Sequence, residues 1–569
     1  MLAQILQRKD AKGQRRKGRN IFIQIADTWS LLKNGDRDLL HYFPFATLHL
    51  CVFALILLSL SCSTKPTDLR TLVPADTLVY LETNDLAAAL QPIVDSIPFA
   101  QVAKSKPDFS ALKGVQLAVA VTGFETTEEK LTDENSVGRV QPRFVAVADT
   151  HAWNWQAVKF AELKLGSFVE DIYDSEPTLE KSDKNGGTYF TWKAKDGRKA
   201  YALVIDSLIY FGNDESSIEK CLAVKRGEAD SIAKTGKVQS VSQGTLASGY
   251  LSTDGVAQIA SIVGMKFASE AGEDSEVQSA IAGILPKLLR SSVTEINWTA
   301  TRTEQGIEDK YLVSMPGDVA NVLSETMTPS GNPTVSLLDL LPSSLPSITI
   351  YDLRNPQVAW RSLILVAGKQ TDPMSARVIA TASSLFFEPY GVSDGETFLS
   401  AVGSTIITGR TDDDVDGVVV VAGVTDKDKL LKSLESALKP KEIAFENGRL
   451  NIWQSDDGDL SAFIEENSIV LGETTSLLKC CVNEHGRPSP NPDLTRMKNN
   501  SVASSKTISK DLAAISQIVE MLAEKKSDDA KAESTYLTET RFTKTGMERR
   551  TVSDFGLIGS IIAQLATEQ

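Results

Sequence analysis

The chain predicts an α+β fold of two tandem similar units, each a largely antiparallel sheet with helices packed on one face. Three observations predict it. With 569 residues, the chain is too long for one hydrophobic core. The stretch "LIYFGNDESSIEKCL" at 208–222 is answered by "SIVLGETTSLLKCCV" at 468–482, each a β-rich run, a glycine, a polar turn and a helix with cysteine. Asp196-Gly197 and Asp457-Gly458 then sit in matching places between apolar strands, where glycine takes the positive φ of a tight hairpin cheaply.

Residues 1–61 read as a basic extension followed by an export signal or membrane anchor. They carry nine Lys/Arg against four Asp/Glu, which leaves 50 against 70, a formal −20, for the rest. So acidic a body is repelled by phosphate backbones, which excludes nucleic acid as the expected partner. The basic run Arg8 to Arg19 precedes an uncharged segment, Leu39 to Thr64, long enough to span a bilayer at ~20 residues. Three readings are open for this segment: a cleaved lipoprotein signal, an uncleaved anchor, or a buried core helix. The first two place everything after Cys62 outside the cytoplasm, membrane-anchored in the cell envelope, facing the periplasm or the surface.

Residues 62–71 are a tether, 72–326 the first unit, 327–333 a Pro/Gly linker, and 334–569 the second unit. "LVPADTLVYLETNDL" from Leu72 matches "LPSSLPSITIYDLRN" from Leu341 as strand and helix start. "FSALKGVQLAVAV" from Phe109 matches "FLSAVGSTIITG" from Phe398, and "RFVAVADT" from Arg143 matches "GVVVVAGVT" from Gly417. Val158, Ala161, Leu165, Phe168 and Ile172 recur on one helical face, as do Leu430, Leu434, Ala437 and Leu438. In the hairpins Trp192 and Trp453 take matching positions. The next helices carry Ile259 and Ile515 at one constant offset, and a glycine, Gly306 or Gly546, separates the closing strands. Equivalent positions are expected to be buried alike. The surplus of the first unit is expected in a loop at 125–141 and a helix at 277–289.

The end of the apolar segment, "LSLSC", resembles a bacterial lipoprotein signal, which makes Cys62 the lipidated residue; Ser59 stands where such sites usually have leucine. The unit opening "PADTLVYLETNDL" resembles a family of exported bacterial proteins of unassigned function. That resemblance implies an envelope location and an α+β fold, and it carries over no site.

Reactive constellations are sparse. Only His151 and His485 lie outside the export segment, too few for a His-based metal site or triad. Ser393 sits in a nucleophile-elbow pattern, "GVSDG", but with Glu396 three residues on it also reads as a capping box. Asp412, Asp414 and Asp416 alternate as in a calcium loop, yet the twelfth position is Gly423; a solvated acidic connection is the expectation. Cys221, Cys480 and Cys481 read as small core residues. Trp153 and Trp155 read as anchors of the following helix or as binding residues for a partner or a lipid surface. No cofactor is called for. The expected function is a non-catalytic, membrane-tethered envelope protein that binds a protein or another envelope component. A lipid or hydrophobic-ligand carrier is the alternative, and a serine-dependent hydrolase the second alternative.

Overall fold

The computed structural model describes residues 67–566 except 131–135, 174, 240, 243, 271–275, 342–344, 411–417, 446–447, 478–499, 511 and 527–531. The first half runs β1 (Val79–Thr83), α1 (Leu86–Asp95), α2 (Ile97–Val102), β2 (Gln116–Lys130), β3 (Ser136–Asp149), α3 (Asn154–Phe160), a π turn (Ala161–Leu165) and α4 (Gly166–Tyr173). It continues through β4 (Thr178–Lys184), β5 (Gly187–Lys193), β6 (Lys199–Ile205), β7 (Leu208–Gly212), α5 (Glu215–Lys225), β8 (Thr245–Ser252), α6 (Thr253–Glu270), α7 (Glu276–Ser292), β9 (Glu295–Thr303), β10 (Gly306–Ser314) and α8 (Gly317–Thr326).

The second half runs β11 (Ser347–Asp352), α9 (Pro356–Lys369), α10 (Pro373–Leu385), α11 (Gly395–Ala401), β12 (Val402–Arg410), β13 (Val418–Val424) and α12 (Lys427–Leu434). Then come β14 (Lys439–Phe445), β15 (Gly448–Gln454), β16 (Leu460–Ile464), β17 (Ser468–Glu473), α13 (Thr474–Leu477), β18 (Ala503–Ser509), α14 (Leu512–Leu522), β19 (Ser534–Thr543), β20 (Gly546–Ser553) and α15 (Gly556–Ala566).

Every described pairing is antiparallel. Along the first half the order is β4-β5-β6-β7-β3-β2-β1-β8-β9-β10. The second half repeats it with ten added to each strand number. The two last strands, β10 and β20, then pair with each other and make one continuous sheet. The hairpins that carry them match bond for bond: Thr303 Oγ1 donates to the Gly306 carbonyl at 3.0 Å, and Thr543 Oγ1 to that of Gly546 at 3.1 Å. With Gly306 matched to Gly546, Lys310 matches Arg550, and these two residues face each other in the ladder. The strands are thus related as by a local two-fold axis at that pair.

The seam demands its glycines. Gly306 (φ 128°) and Gly546 (φ 141°) lie in backbone conformations that side chains rarely adopt, and a Cβ on either would strike a carbonyl of the opposite half, that of Ser553 or Val313. Glycine in the repeated strand-turn-helix motif also has a repeated reason. At Gly212 a Cβ would collide with the Phe144 carbonyl, and at Gly472 with the Val418 carbonyl, the neighbouring strand in each case.

Helices cross between the halves. α14 packs on α2, where the Lys104 amide donates to the Glu524 carbonyl at 2.7 Å and the Lys526 amide to that of Val102 at 2.9 Å. Ile515, Ile518, Val519, Phe555 and Ile562 complete the core beneath α1 and α2. In return α8 lies on β19 and β20 and meets α9, with Thr326 Oγ1 and the Ser362 hydroxyl 2.7 Å apart. Each fully buried Leu, Ile or Phe contributes roughly 1.5–3 kcal/mol, so these exchanged residues bind the halves together.

Several expectations are refined. The α+β class stands, and the second sheet face is covered as well: Leu117, Val119 and Val121 enter the core under α1 to α4, while Ala118 and Ala120 face one built with α5 and the turn Leu69–Leu72. Residues 125–130 and 136–141, expected in a loop, belong to strands instead, because the β2–β3 ladder extends to Lys130 and Ser136. The predicted surplus helix is α7. The linker is held to the second half, its Gly331 amide donating to buried Asp352 at 3.2 Å. Trp192 and Trp453 pair with Ala200 and Ala462, but only Trp192 is fully buried; Ile515 is buried and Ile259 only half so. The difference follows from α14 being pressed against α2, whereas α6 spends its surface on its hairpin partner α7.

Candidate functional site

Where the halves meet, a pocket of about 460 Å³ opens beside the β10–β20 seam. This falls within the roughly 300–1,000 Å³ of small-molecule sites. Its floor is apolar: Leu537 and Val552, partners in the β19–β20 ladder, with Pro98 from α2 and Ala532. Ile97, 73% exposed, stands at the rim with Gln101, Gln305 and Glu533. Proline in the first turn and Ser96 as N-cap start α2 at this place, which projects Ile97 outward. One carboxyl enters the pocket. Asp554 accepts the Thr535 amide at 2.9 Å, and burial pushes its pKa above the ordinary carboxylate value.

The lining of the pocket is not repeated at the matching positions across the seam. The same 240-residue offset that relates the hairpins puts Asn297, Leu312 and Ser314 where the pocket has Leu537, Val552 and Asp554. Next to it, Lys310–Glu548 (3.5 Å) and Arg550–Glu308 cross the join, and Arg541–Glu548 (2.7 Å) extends the charged ladder into β19. Half-exposed pairs contribute about 0–1 kcal/mol each, so their role is to fix register.

A second polar group lies under the sheet of the first half. Glu82 is 5% exposed and accepts the Tyr80 hydroxyl at 3.1 Å; burial raises its pKa, against the pull of that hydrogen bond and of Arg70. Its ladder neighbour Ser248 is buried with no hydrogen-bond partner for its hydroxyl. In the second half the matching strand presents Ile348 and Ile350 to its core. The Glu82 cluster was missed from sequence, because alternation marks a strand without revealing that its polar face is covered.

The predicted residues are scattered. Ser393 donates its hydroxyl to the Ser433 carbonyl at 2.7 Å, and Asp394, not Ser393, caps α11 by accepting the Thr397 amide at 3.0 Å. The capping expectation is thus shifted by one residue, since the helix begins at Gly395 and Asp394 has the extended backbone of the N-cap position. Glu396 pairs instead with Arg361 at 2.6 Å. Trp153 and Trp155 are 69% and 65% exposed, which corrects the reading of them as core anchors of their helix; Ala157 and Phe160 fill that role. Cys221 is buried, its thiol pushed up to about 12 by burial. Cys62, Asp412, Asp414, Asp416, Cys480, Cys481 and His485 lie outside the described residues, as does the apolar segment.

Among the described residues there is no cluster of three or more His, Cys, Asp or Glu able to hold a metal, and no helix is long and apolar enough to cross a membrane. Fold and site together define an α+β protein with a small pocket, apolar at its floor and polar at its rim, at the join of two similarly paired halves. No family model, no curated protein and no solved structure matches the chain.

Proposed function

We propose that this is a non-catalytic, membrane-tethered protein of the cell envelope, built by duplication of one α+β unit, that binds an envelope protein through the seam pocket. The observation that carries the reading is the pocket itself: an apolar floor with a single half-buried carboxyl, placed where α2 of one half overlies β19 and β20 of the other. Such a floor accepts an apolar anchor side chain, and Asp554 accepts a hydrogen bond from a donor next to it. A catalytic use of Ser393 is disfavoured because its hydroxyl is spent on a backbone carbonyl and the neighbouring acid on a helix cap.

The test is photo-crosslinking in cells from a benzophenone amino acid at Ile97. A discrete protein adduct, lost on Val552→Glu, is expected. An even smear unaffected by Val552→Glu would overturn the reading. A lipid recovered in organic extracts of the wild type, and absent from the Val552→Glu protein, would replace it with the hydrophobic-ligand carrier.

A further inference from the structure

We propose that the corner carrying Trp153 and Trp155 rests in the interfacial layer of the bilayer that holds the N-terminal segment. The inference rests on the membrane-tether reading above and deepens it. Thr67, the first described residue, is fixed hard against the body. Its amide donates to Gln116 Oε1 at 2.7 Å, its carbonyl accepts Gln116 Nε2 at 2.8 Å, and its hydroxyl donates to Asp149 Oδ2 at 2.5 Å. Gln116 and Asp149 are themselves 1% and 3% exposed, so this entry point cannot swing freely.

The other oxygen of Asp149 accepts the amide of His151 at 3.0 Å, and His151, in the left-handed region at φ 51°, turns the chain outward into the tryptophans. Trp155 is four positions after His151, and Thr67 three positions after Thr64, the end of the uncharged segment. At no more than ~3.6 Å per residue, the Trp155 backbone lies within about 14 Å of His151 and that of Thr64 within about 11 Å of Thr67, and His151 and Thr67 are both bonded to the one Asp149 carboxyl. An apolar segment embedded in lipid therefore brings the tryptophans to the headgroup level, where their amphipathic rings are most stable. The exposed face continues along the helix as Lys159 and Leu163, the leucine 53% exposed; the lysine stem can lie on lipid with its ammonium in water.

The test uses the full chain reconstituted into phosphatidylcholine vesicles brominated near the headgroup end of the acyl chains. Bromine quenches indoles at contact range. The wild type is expected to float with the vesicles and lose part of its emission. Trp153→Phe/Trp155→Phe should float equally and lose most of that quenching, and Leu163→Trp in the double-Phe background should restore it. Flotation with quenching unchanged by the double substitution, or with no quenching at all, overturns the proposal while leaving the tether intact, and points the indoles to a protein partner. Failure to float overturns the tether reading and this inference with it.

Discussion

Asp309 offers the sharpest test of how the halves are held together. It lies in the central strand β10, fully buried, and its two oxygens accept from different halves: Trp298 Nε1 at 2.9 Å and the amide of Leu557, in the first turn of α15, at 2.9 Å. Asp309→Ala leaves two donors without their acceptor, about 1–3 kcal/mol for each that stays buried. The Leu557 amide is half-buried and regains some water, whereas the indole, on a residue 5% exposed, does not. The expected loss is therefore about 1–3 kcal/mol. Asp309→Asn, which keeps one acceptor but turns an NH2 toward the other donor, should lose roughly half of that. Equilibrium urea unfolding of the full chain in detergent, followed by tryptophan emission, measures both. A loss below about 1 kcal/mol for Asp309→Ala would refute the idea that this carboxylate ties α15 to the first half.

Glu82→Gln should stabilise the protein at pH 8 more than at pH 4. A buried carboxyl with a raised pKa contributes stability that is complete below its unfolded value of 4.5 and is lost as pH rises through the folded value. A pH-independent effect in thermal unfolding would contradict this. Asp394→Ala should cost about 0.5–2 kcal/mol as a lost N-cap, and Ser393→Ala less, with crosslinking from Ile97 unchanged in the folded fraction. The reverse ranking in denaturant melts would reinstate Ser393 as the cap. Cys221 should resist iodoacetamide at pH 8 until denaturant is added, as read by peptide mass spectrometry; alkylation at the rate of a free thiol would remove it from the core.

Much of the fold is legible locally. Asp196-Gly197 and Asp457-Gly458 do form the turns between β5 and β6 and between β15 and β16, with Gly197 and Gly458 at φ 91° and 80°. The helix faces of Leu165, Phe168, Leu430 and Leu434 are buried as their spacing requires. The edge strand β4 escaped notice although Asn185-Gly186, at φ 54° and 79°, is itself a strong hairpin signal. All seven residues of β4 are exposed, so it lacks the apolar alternation by which strands are recognised. The chemistry was less legible. Ser393 matched a short pattern whose meaning depends on what its hydroxyl meets, and that partner, the Ser433 carbonyl, comes from forty residues away.

By itself, the sequence determined the α+β class, the recurrence of strand-turn-helix motifs and the positions where glycine turns the chain, because each depends on contacts within about a dozen residues. Only the tertiary structure decided that β10 and β20 would join, that α14 and α15 would complete the core of the opposite half, and that a pocket would open beside Asp554. Register between strands 240 residues apart is set by packing and by the carbonyls that Gly306 and Gly546 let approach, and no local pattern encodes which remote strand will arrive there.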